Sequence, residues 1–224
     1  MIAGVVLDMD GLMLDTEAMN RVAWKAAAAE QGFDLTDTFY ATLIGQTTPV
    51  SEQQVVDHFG AGFSREVFRA RRRELWRTRA EAEGIPHKTG LLDFLDTVRA
   101  LALPVAVATS TATEGAEFTL IRAGIRDRFR AVVAGDQVKR GKPAPDIYVE
   151  AAARLDVDPR LCVALEDSSP GILAATSAGM RALLIPDLAE PTPAARDAAH
   201  QRFGSLVDAR AWLFETVTAL RAAT

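Results

Sequence analysis

The sequence predicts an α/β protein whose doubly wound parallel sheet is interrupted by an inserted all-helical domain. Short apolar runs alternate with helical patterns over most of the 224 residues, and this alternation is typical of parallel strands joined by crossover helices. One long stretch near the start carries helical periodicity without strand-like runs. We therefore expect a core domain formed by residues 1–15 and 85–224, with a helical domain at residues 16–84.

Five apolar runs predict the strands of the core, and helical spacing predicts the helices between and after them. The runs are short and apolar, as expected of strands buried on both faces. Pro186, Pro191 and Pro193 interrupt the chain before the last helix, which predicts a loop. The predicted strands are Ile2–Leu7, Val105–Ala108, Ala131–Ala134, Leu161–Leu165 and Arg181–Ile185. The predicted helices are Leu91–Leu101, Thr113–Ala123, Pro145–Leu155, Pro170–Ala178 and Leu206–Leu220.

In the inserted domain, glycines separate four helical patterns. Gly32, then Gly45 with Pro49, then Gly60 and Gly62 mark the breaks. The connections near Asp15 and near Gly84–His87 are the predicted hinges. The helical patterns cover Glu17–Glu30, Leu35–Ile44, Val50–Phe59 and Arg65–Glu81.

Composition limits the classes of partner. Hydrophobic residues make up 49% of the chain, and the formal net charge of −5 gives no reason to expect nucleic acid. The single cysteine, Cys162, cannot form an internal disulfide, which suits a reducing compartment. The start lacks a basic segment, and no uncharged apolar stretch is long enough to span a bilayer. We expect a cytoplasmic monomer with no membrane partner.

Two carboxylates follow directly on the first predicted strand. Asp8 and Asp10 lie where open α/β folds hold their ligands, and Gly11 frees the backbone beside them. Two acids one residue apart suit a division into nucleophile and proton carrier. Alone, such acids are also common in turns and helix caps.

The ends of two later strands carry further polar groups. Thr109 and Ser110 end the second strand; their hydroxyls could donate to a phosphate or cap the following helix. Glu166 and Asp167 end the fourth, and adjacent acids are costly unless a cation balances them. Mg²⁺ takes carboxylate and carbonyl oxygens.

A stiffened loop carries a lysine. Pro143 and Pro145 restrict the backbone around Lys142, and Pro145 suits the first turn of the next helix. Most surface lysines are solvated, but a lysine on a stiff loop can be aimed at a site.

In this order, the four stretches resemble the four motifs of the haloacid dehalogenase superfamily of aspartate-nucleophile phosphatases. The first motif, with Asp15, Thr16, Trp24 and Lys25, is most similar to the β-phosphoglucomutase-like subfamily, and the insertion resembles its helical type I cap. The motifs lie in Asp8–Glu17, Pro104–Thr111, Arg140–Tyr148 and Leu161–Ile172.

The resemblance implies a Rossmann-like core whose cap covers the carboxyl edge of the sheet and excludes water when closed. It also implies Mg²⁺-dependent hydrolysis of a small phosphorylated metabolite, with a sugar phosphate favoured. Asp8 would be the nucleophile, Asp10 the acid and base, and Lys142 the neutralising cation. The resemblance assigns the metal to Asp8, Asp10, Glu166 and Asp167, and the phosphate and substrate to Gly11, Thr109, Ser110, Lys142, Trp24 and Lys25. Core packing of Trp24 and solvation of Lys25 are nearly as plausible.

Other enzyme classes fit less well. The sequence has no Gly-x-x-x-x-Gly-Lys-Ser/Thr loop of a nucleotide kinase, and Asp10 argues against a dehalogenase. Phosphonate hydrolysis needs a cap lysine, and position alone does not assign Lys25 that role. The mutases carry a histidine and an arginine where Asn20 and Thr48 stand here, which favours a phosphatase and leaves a β-phosphoglucomutase-type mutase as the alternative.

The basic run Arg69–Arg79 has two interpretations. It could bind an anion such as a second substrate phosphate. Interleaved acids favour local ion pairs on a solvated helix face instead, namely Arg71–Glu74, Arg77–Glu81 and Arg79–Glu83.

Overall fold

The computed structural model describes residues 1–44 and 48–222. It separates two units: Asp15–Ile85, here named the inserted unit, and Met1–Leu14 together with Pro86–Thr224, here named the core unit. Among the described residues, no helix has both the length and the apolar character needed to cross a bilayer.

The described part of the inserted unit consists of helices packed around aromatic side chains. The helices are α1 (Thr16–Ala29), α2 (Asp37–Ala41), α3 (Thr48–Phe59) and α4 (Arg65–Glu83). Helix α1 packs along α4, and Trp24, Tyr40 and Phe68 are buried between them and their neighbours. Helix α2 is shorter than the predicted Leu35–Ile44, because Thr36 caps it from Asp37 onward. Residues Gly45–Thr47, which belong to the break predicted between the second and third helical patterns, lie outside the described residues.

The core unit is built on a parallel sheet. Its strands in the described chain are β1 (Gly4–Leu7), β2 (Val105–Ala108), β3 (Ala131–Val133), β4 (Cys162–Glu166), β5 (Arg181–Leu184) and β6 (Gln201–Arg202). Their spatial order is β3-β2-β1-β4-β5-β6, and every pair is parallel. The chain runs from β1 to β2 and β3 on one side and then crosses back to β4 on the other side of β1. The residue after β1 therefore lies at the switch point of the sheet.

Helices cover this sheet. They are α5 (Leu91–Ala100), α6 (Thr113–Arg122), α7 (Asp146–Leu155), α8 (Ser169–Ser177), α9 (Pro193–Ala198) and α10 (Leu206–Ala222). Side chains of α7, α8 and α9 share one apolar cluster with Val6, Ala106 and Ala164 of the strands. The alternate strand residues, such as Leu7 and Val163, are also 0% exposed, so both faces of the sheet are covered.

Two elements of the core unit were not predicted from the sequence. Strand β6 was not predicted, because both of its residues are exposed and carry no apolar run. The loop predicted around the three prolines contains α9, which begins at Pro193 behind the capping side chain of Thr192. Proline is favoured in the first helical turn, where its missing N–H is not needed.

Candidate active site

Asp8 extends the line of β1 by one residue. Its backbone N–H donates to the Leu165 carbonyl over 3.1 Å, which continues the β1–β4 ladder beyond Leu7. The residue is 7% exposed. Lys142 Nζ donates to its Oδ1 over 2.5 Å. The candidate nucleophile is therefore fixed by the sheet on one side and by an ammonium group on the other.

Lys142 is directed by three acceptors. Its Nζ donates to Asp8 Oδ1 and Glu166 Oε1 over 2.5 Å each, and to the Ala108 carbonyl over 3.0 Å. An ammonium group has three protons, so these contacts use all of them. The side chain is 6% exposed, which shows that this lysine, unlike a typical surface lysine, is buried and oriented.

Glu166 accepts four hydrogen bonds. Lys142 Nζ and Tyr148 Oη donate to Oε1 over 2.5 and 2.6 Å, and the backbone N and Oγ of Ser168 donate to Oε2 over 3.2 and 2.9 Å. A carboxylate offers about four acceptor positions, so these contacts hold Glu166 as an anchor for Lys142. Only a glycine fits at Gly171, where a Cβ would come within 1.8 Å of Glu166 Oε1. Direct ligation of a metal by Glu166 stays a prediction.

Gly11 makes room for the carboxylate of Asp167. Its φ of +84° is a conformation that other residues rarely adopt, and a Cβ there would lie 2.3 Å from Asp167 Oδ2. The same Cβ would lie 3.4 Å from Oδ2 of Asp187, which pairs with Lys88 Nζ over 2.6 Å. The backbone of Gly11 therefore packs directly against the carboxylate of Asp167, which leaves no room for a side chain.

Asp8, Glu166 and Asp167 each place one carboxylate oxygen within 4.8 Å of the other two. Burial raises the pKa of Asp8 to about 8; Lys142 opposes this rise, while Glu166 and Asp10 add to it. Burial and then the charges of Asp8 and Glu166 raise the pKa of Asp167 well above its usual value. Burial opposes the charge of Lys142, but Asp8 and Glu166 raise its pKa. One ammonium group thus leaves this cluster short of positive charge.

This donor set suits a hard divalent cation. Asp8 and Asp167 offer carboxylate oxygens, which Mg²⁺ and Ca²⁺ prefer, whereas zinc sites favour histidine and cysteine. Burial and the neighbouring carboxylates raise the pKa of Asp8 and Asp167, and a bound cation would favour the ionised form of both. The acidic cluster therefore has the donor chemistry of a site for a hard divalent cation.

Asp10 lies beside the turn after β2. Thr111 Oγ1 donates to its Oδ2 over 2.9 Å, and the backbone of Asp10 bridges to Leu14. In the same turn, Thr109 is 1% exposed and its Oγ1 accepts from the Thr111 backbone N over 3.1 Å. The Thr109 hydroxyl keeps its own proton for donation, while Ser110 is exposed.

The inserted unit has a cavity of its own, of about 140 Å³. Trp24 lines it, with the guanidinium of Arg72 5.0 Å from its ring centroid. Lys25 lies outside this lining, and its Nζ pairs with Asp37 Oδ1 over 2.9 Å. The lining residues are Glu17, Asn20, Trp24, Tyr40, Leu43, Ile44, Thr48, Ser51 and Arg72.

The basic run of α4 is paired with acids. The predicted pairs are present, with distances of 2.8 Å for Arg71–Glu74, 3.3 Å for Arg77–Glu81 and 3.0 Å for Arg79–Glu83. Arg69 and Arg72 contact Glu52 of α3, which is 1% exposed. This arrangement favours the interpretation as ion pairs over an anion-binding patch.

Sequence reasoning did not assign Thr111, Tyr148 and Ser168 to the site. Each donates a hydrogen bond to a predicted site carboxylate. Thr111 and Ser168 follow strand ends, the same signal that pointed to their neighbours. Tyr148 is the last residue of the third motif, but it lies within an apolar helical pattern, and that pattern did not indicate a hydrogen bond to a carboxylate.

The sequence of this chain is similar to those of known hydrolases and phosphatases. The sequence model of the haloacid dehalogenase-like hydrolases matches residues 2–179. Fructose-1-phosphate phosphatase YqaB of Escherichia coli (strain K12) is 34% identical over 183 residues, which cover 81% of this chain and 95% of that protein. Phosphorylated carbohydrates phosphatase of Thermotoga maritima is 33% identical over 176 residues, which cover 79% and 81%.

A solved structure extends the similarity to the whole fold. A crystal structure from Thermotoga maritima, provisionally named β-phosphoglucomutase, superposes with a TM-score of 0.80. It is 28% identical in sequence, and the match covers 100% of both chains.

Proposed function

Because the chain belongs to the haloacid dehalogenase-like hydrolases and is a hydrolase of phosphoric monoesters, we propose that it dephosphorylates a small sugar phosphate with the help of Mg²⁺. The observation that carries the proposal is the shared lysine, Lys142, which donates at once to Asp8 and to Glu166 at the switch point of the sheet. A buried carboxylate beside a directed cation is suited to attack an anionic phosphorus centre.

In the first half-reaction, a carboxylate oxygen of Asp8 attacks phosphorus in line with the sugar oxygen that leaves. The new bond makes an aspartyl-phosphate, the P–O bond to the sugar breaks, and Asp10 gives its proton to the leaving oxygen. In the second, Asp10 takes a proton from water, which attacks phosphorus and releases inorganic phosphate and free Asp8. The hydroxyl of Thr111 orients the Asp10 carboxylate for both transfers.

Mg²⁺ would be held by the carboxylates of Asp8 and Asp167 and by the Asp10 carbonyl, with Glu166 as a further ligand or as an orienting group. When bound, the ion would neutralise charge on the phosphoryl group and on Asp8. Lys142 adds a second positive charge. Thr109 and Ser110, at the end of β2, are proposed to donate to the phosphoryl oxygens.

We propose that the cavity of the inserted unit recognises the hydroxyl-bearing part of the substrate. Glu17, Asn20 and Arg72 supply polar groups there beside the ring of Trp24, a combination suited to a small polar ligand. The sugar phosphates named for the two curated relatives agree with this class. Lys25 is the weaker candidate, because Asp37 holds its ammonium.

The substrate class is tested by phosphate release with Mg²⁺ across fructose 1-phosphate, other sugar phosphates, nucleotides and phosphoglycolate. We expect the highest kcat/KM for a sugar phosphate and no turnover by Asp8→Asn. Preference for a nucleotide would contradict the substrate class, and equal turnover by Asp8→Asn would contradict the mechanism.

A mutase remains the second candidate because Arg72 lines the same cavity as Asn20 and Thr48. Its guanidinium could grip a second phosphate, but Glu52 already accepts from its Nη2 over 2.6 Å. With β-glucose 1-phosphate and catalytic glucose 1,6-bisphosphate, we therefore expect free phosphate or no reaction. Rapid formation of glucose 6-phosphate without phosphate release would establish the mutase.

We also propose that the protein is a cytoplasmic monomer that does not bind nucleic acid. Cys162 is a free thiol within β4, and it is the only cysteine of the chain, which agrees with a reducing compartment. Light scattering of the purified protein tests whether it is a monomer. A DNA-binding titration at low salt tests whether it binds nucleic acid.

A further inference from the structure

We propose that Tyr148 is a positioning residue that keeps the ammonium of Lys142 on Asp8. The inference rests on the proposed function, in which Lys142 must neutralise Asp8 during phosphoryl transfer. Tyr148 is 0% exposed on the inner face of α7. Its Oη donates to Glu166 Oε1 over 2.6 Å, and its ring centroid lies 5.2 Å from Lys142 Nζ.

The lysine is shared between two carboxylates that compete for it. Asp8 Oδ1 and Glu166 Oε1 each lie 2.5 Å from Nζ, so the position of the ammonium depends on the relative strength of the two acceptors. Tyr148 donates to the same oxygen of Glu166 that accepts from Lys142. A second donor on that oxygen weakens its attraction for the ammonium, because the two donors share its negative charge.

Removing the phenol hydroxyl strengthens Glu166 relative to Asp8 as an acceptor for the ammonium of Lys142. Glu166 is 0% exposed, so water cannot replace the lost donor, and its charge must be met by the remaining partners. Lys142 is the positively charged partner among them, so its ammonium is expected to move toward Glu166 and away from Asp8. Asp8 then loses part of the positive charge that its attack on phosphorus requires.

Packing alone does not account for a hydroxyl at this position. The neighbours of Tyr148 on α7, Ile147, Ala151 and Ala152, are apolar and 0% exposed. Burying a hydroxyl there is costly unless it is hydrogen-bonded. Burial and the charge of Glu166 also raise the pKa of Tyr148 well above its usual value, so the phenol keeps the proton that it donates.

The test compares Tyr148→Phe with Ile147→Val in the full chain. Both variants change a buried side chain of the same helix, but only Tyr148→Phe removes a donor to Glu166. We expect Tyr148→Phe to lower kcat about 10-fold, with KM and the Mg²⁺ concentration for half-maximal activity within about twofold of wild type. Ile147→Val should keep kcat within about twofold, because it leaves the hydrogen bonds of Glu166 in place.

Crystal structures of the three proteins grown with Mg²⁺ give a readout that does not depend on activity. We expect the separation of Lys142 Nζ and Asp8 Oδ1 to exceed hydrogen-bonding distance in Tyr148→Phe only. An unchanged separation overturns the proposal whatever the rate, and so does an equal loss of kcat in Ile147→Val. If wild type hydrolyses no phosphate ester, the proposed function fails, while the separation still decides whether Tyr148 positions Lys142.

Discussion

Each unit contains a buried glutamate bound by cations, but the charge around the two differs. In the inserted unit, Glu52 is surrounded by Arg65, Arg69 and Arg72. Although burial opposes it, hydrogen bonds from Arg69 and Arg72 lower the pKa of Glu52. In the core unit, Glu166 shares the single ammonium of Lys142 with its neighbouring carboxylates.

This difference in charge distinguishes an ion-pair cluster that stabilises the fold from a cluster suited to catalysis. Around Glu52, positive charge is in excess and the lowered pKa keeps Glu52 ionised, as expected of a cluster that joins two helices. Around Glu166, negative charge is in excess, and the pKa values of Asp8 and Asp167 are raised. Perturbed carboxyl groups at a sheet's carboxyl edge are typical of functional sites, whereas balanced ion pairs are typical of structural ones.

The largest expected effect tests whether the unbalanced cluster performs the chemistry. Asp8→Asn removes the nucleophile and should lower kcat by about 10⁴-fold or more, with the circular dichroism spectrum unchanged. Asp10→Asn should slow both half-reactions by about 10²-fold or more. The control is Asp158→Asn, whose carboxylate pairs with Arg160 on the surface and should leave kcat unchanged. Substantial turnover by Asp8→Asn would show that the cluster does not supply the nucleophile.

Removing the cation should abolish activity reversibly. Excess chelator is expected to stop phosphate release, and Mg²⁺ added beyond the chelator should restore it, because Asp8 and Asp167 lack sufficient positive charge without the ion. Calcium should inhibit, since its larger and looser shell suits the compact in-line geometry poorly. Full turnover in excess chelator would show that Lys142 alone balances the cluster.

The balanced cluster should affect stability more than chemistry. Glu52→Gln leaves three arginines without their carboxylate, and we expect a loss of about 2 kcal/mol in the free energy of unfolding. This value lies below that of a fully buried pair because water reaches Arg69, whose side chain is 42% exposed. Urea denaturation measures the loss. An unchanged midpoint would show that Glu52 does not hold α3 against α4.

The smallest effect is expected for the exposed pairs of α4. Glu83→Gln removes the partner of Arg79 in a pair whose side chains are 38% and 60% exposed. Such pairs contribute less than about 0.5 kcal/mol, so the urea midpoint should stay within error of wild type. A shift of the urea midpoint as large as that of Glu52→Gln would mean that the exposed ion pairs of α4 stabilise the fold.

The sequence allowed the site to be predicted where local rules apply. Apolar runs predicted β1 and β4, so Asp8, which follows β1, and Glu166, which ends β4, could be assigned to one edge of the sheet. Helical spacing predicted the pair Arg71–Glu74 in the same way. Both rules depend only on neighbours along the chain.

Contacts between distant segments could not be predicted by these rules. Glu52 binds Arg69 from another helix, 17 positions away, and no periodicity links the two. Tyr148 lies in a pattern that phenylalanine would fit equally well, so its bond to Glu166 became visible only in three dimensions. Strand β6 and helix α9 were missed because the two exposed residues of the strand and the proline-rich start of the helix follow no apolar pattern.

The single cysteine has a practical consequence for spectroscopy. Cys162 is 0% exposed within β4, and burial keeps its thiol protonated, which makes it a poor nucleophile toward maleimides and other labelling reagents. A fluorophore or spin label can therefore be attached to an introduced cysteine with little labelling of Cys162. One cysteine placed at an exposed position of each unit would give a pair of probes, and their separation could be followed during turnover without first removing a native thiol.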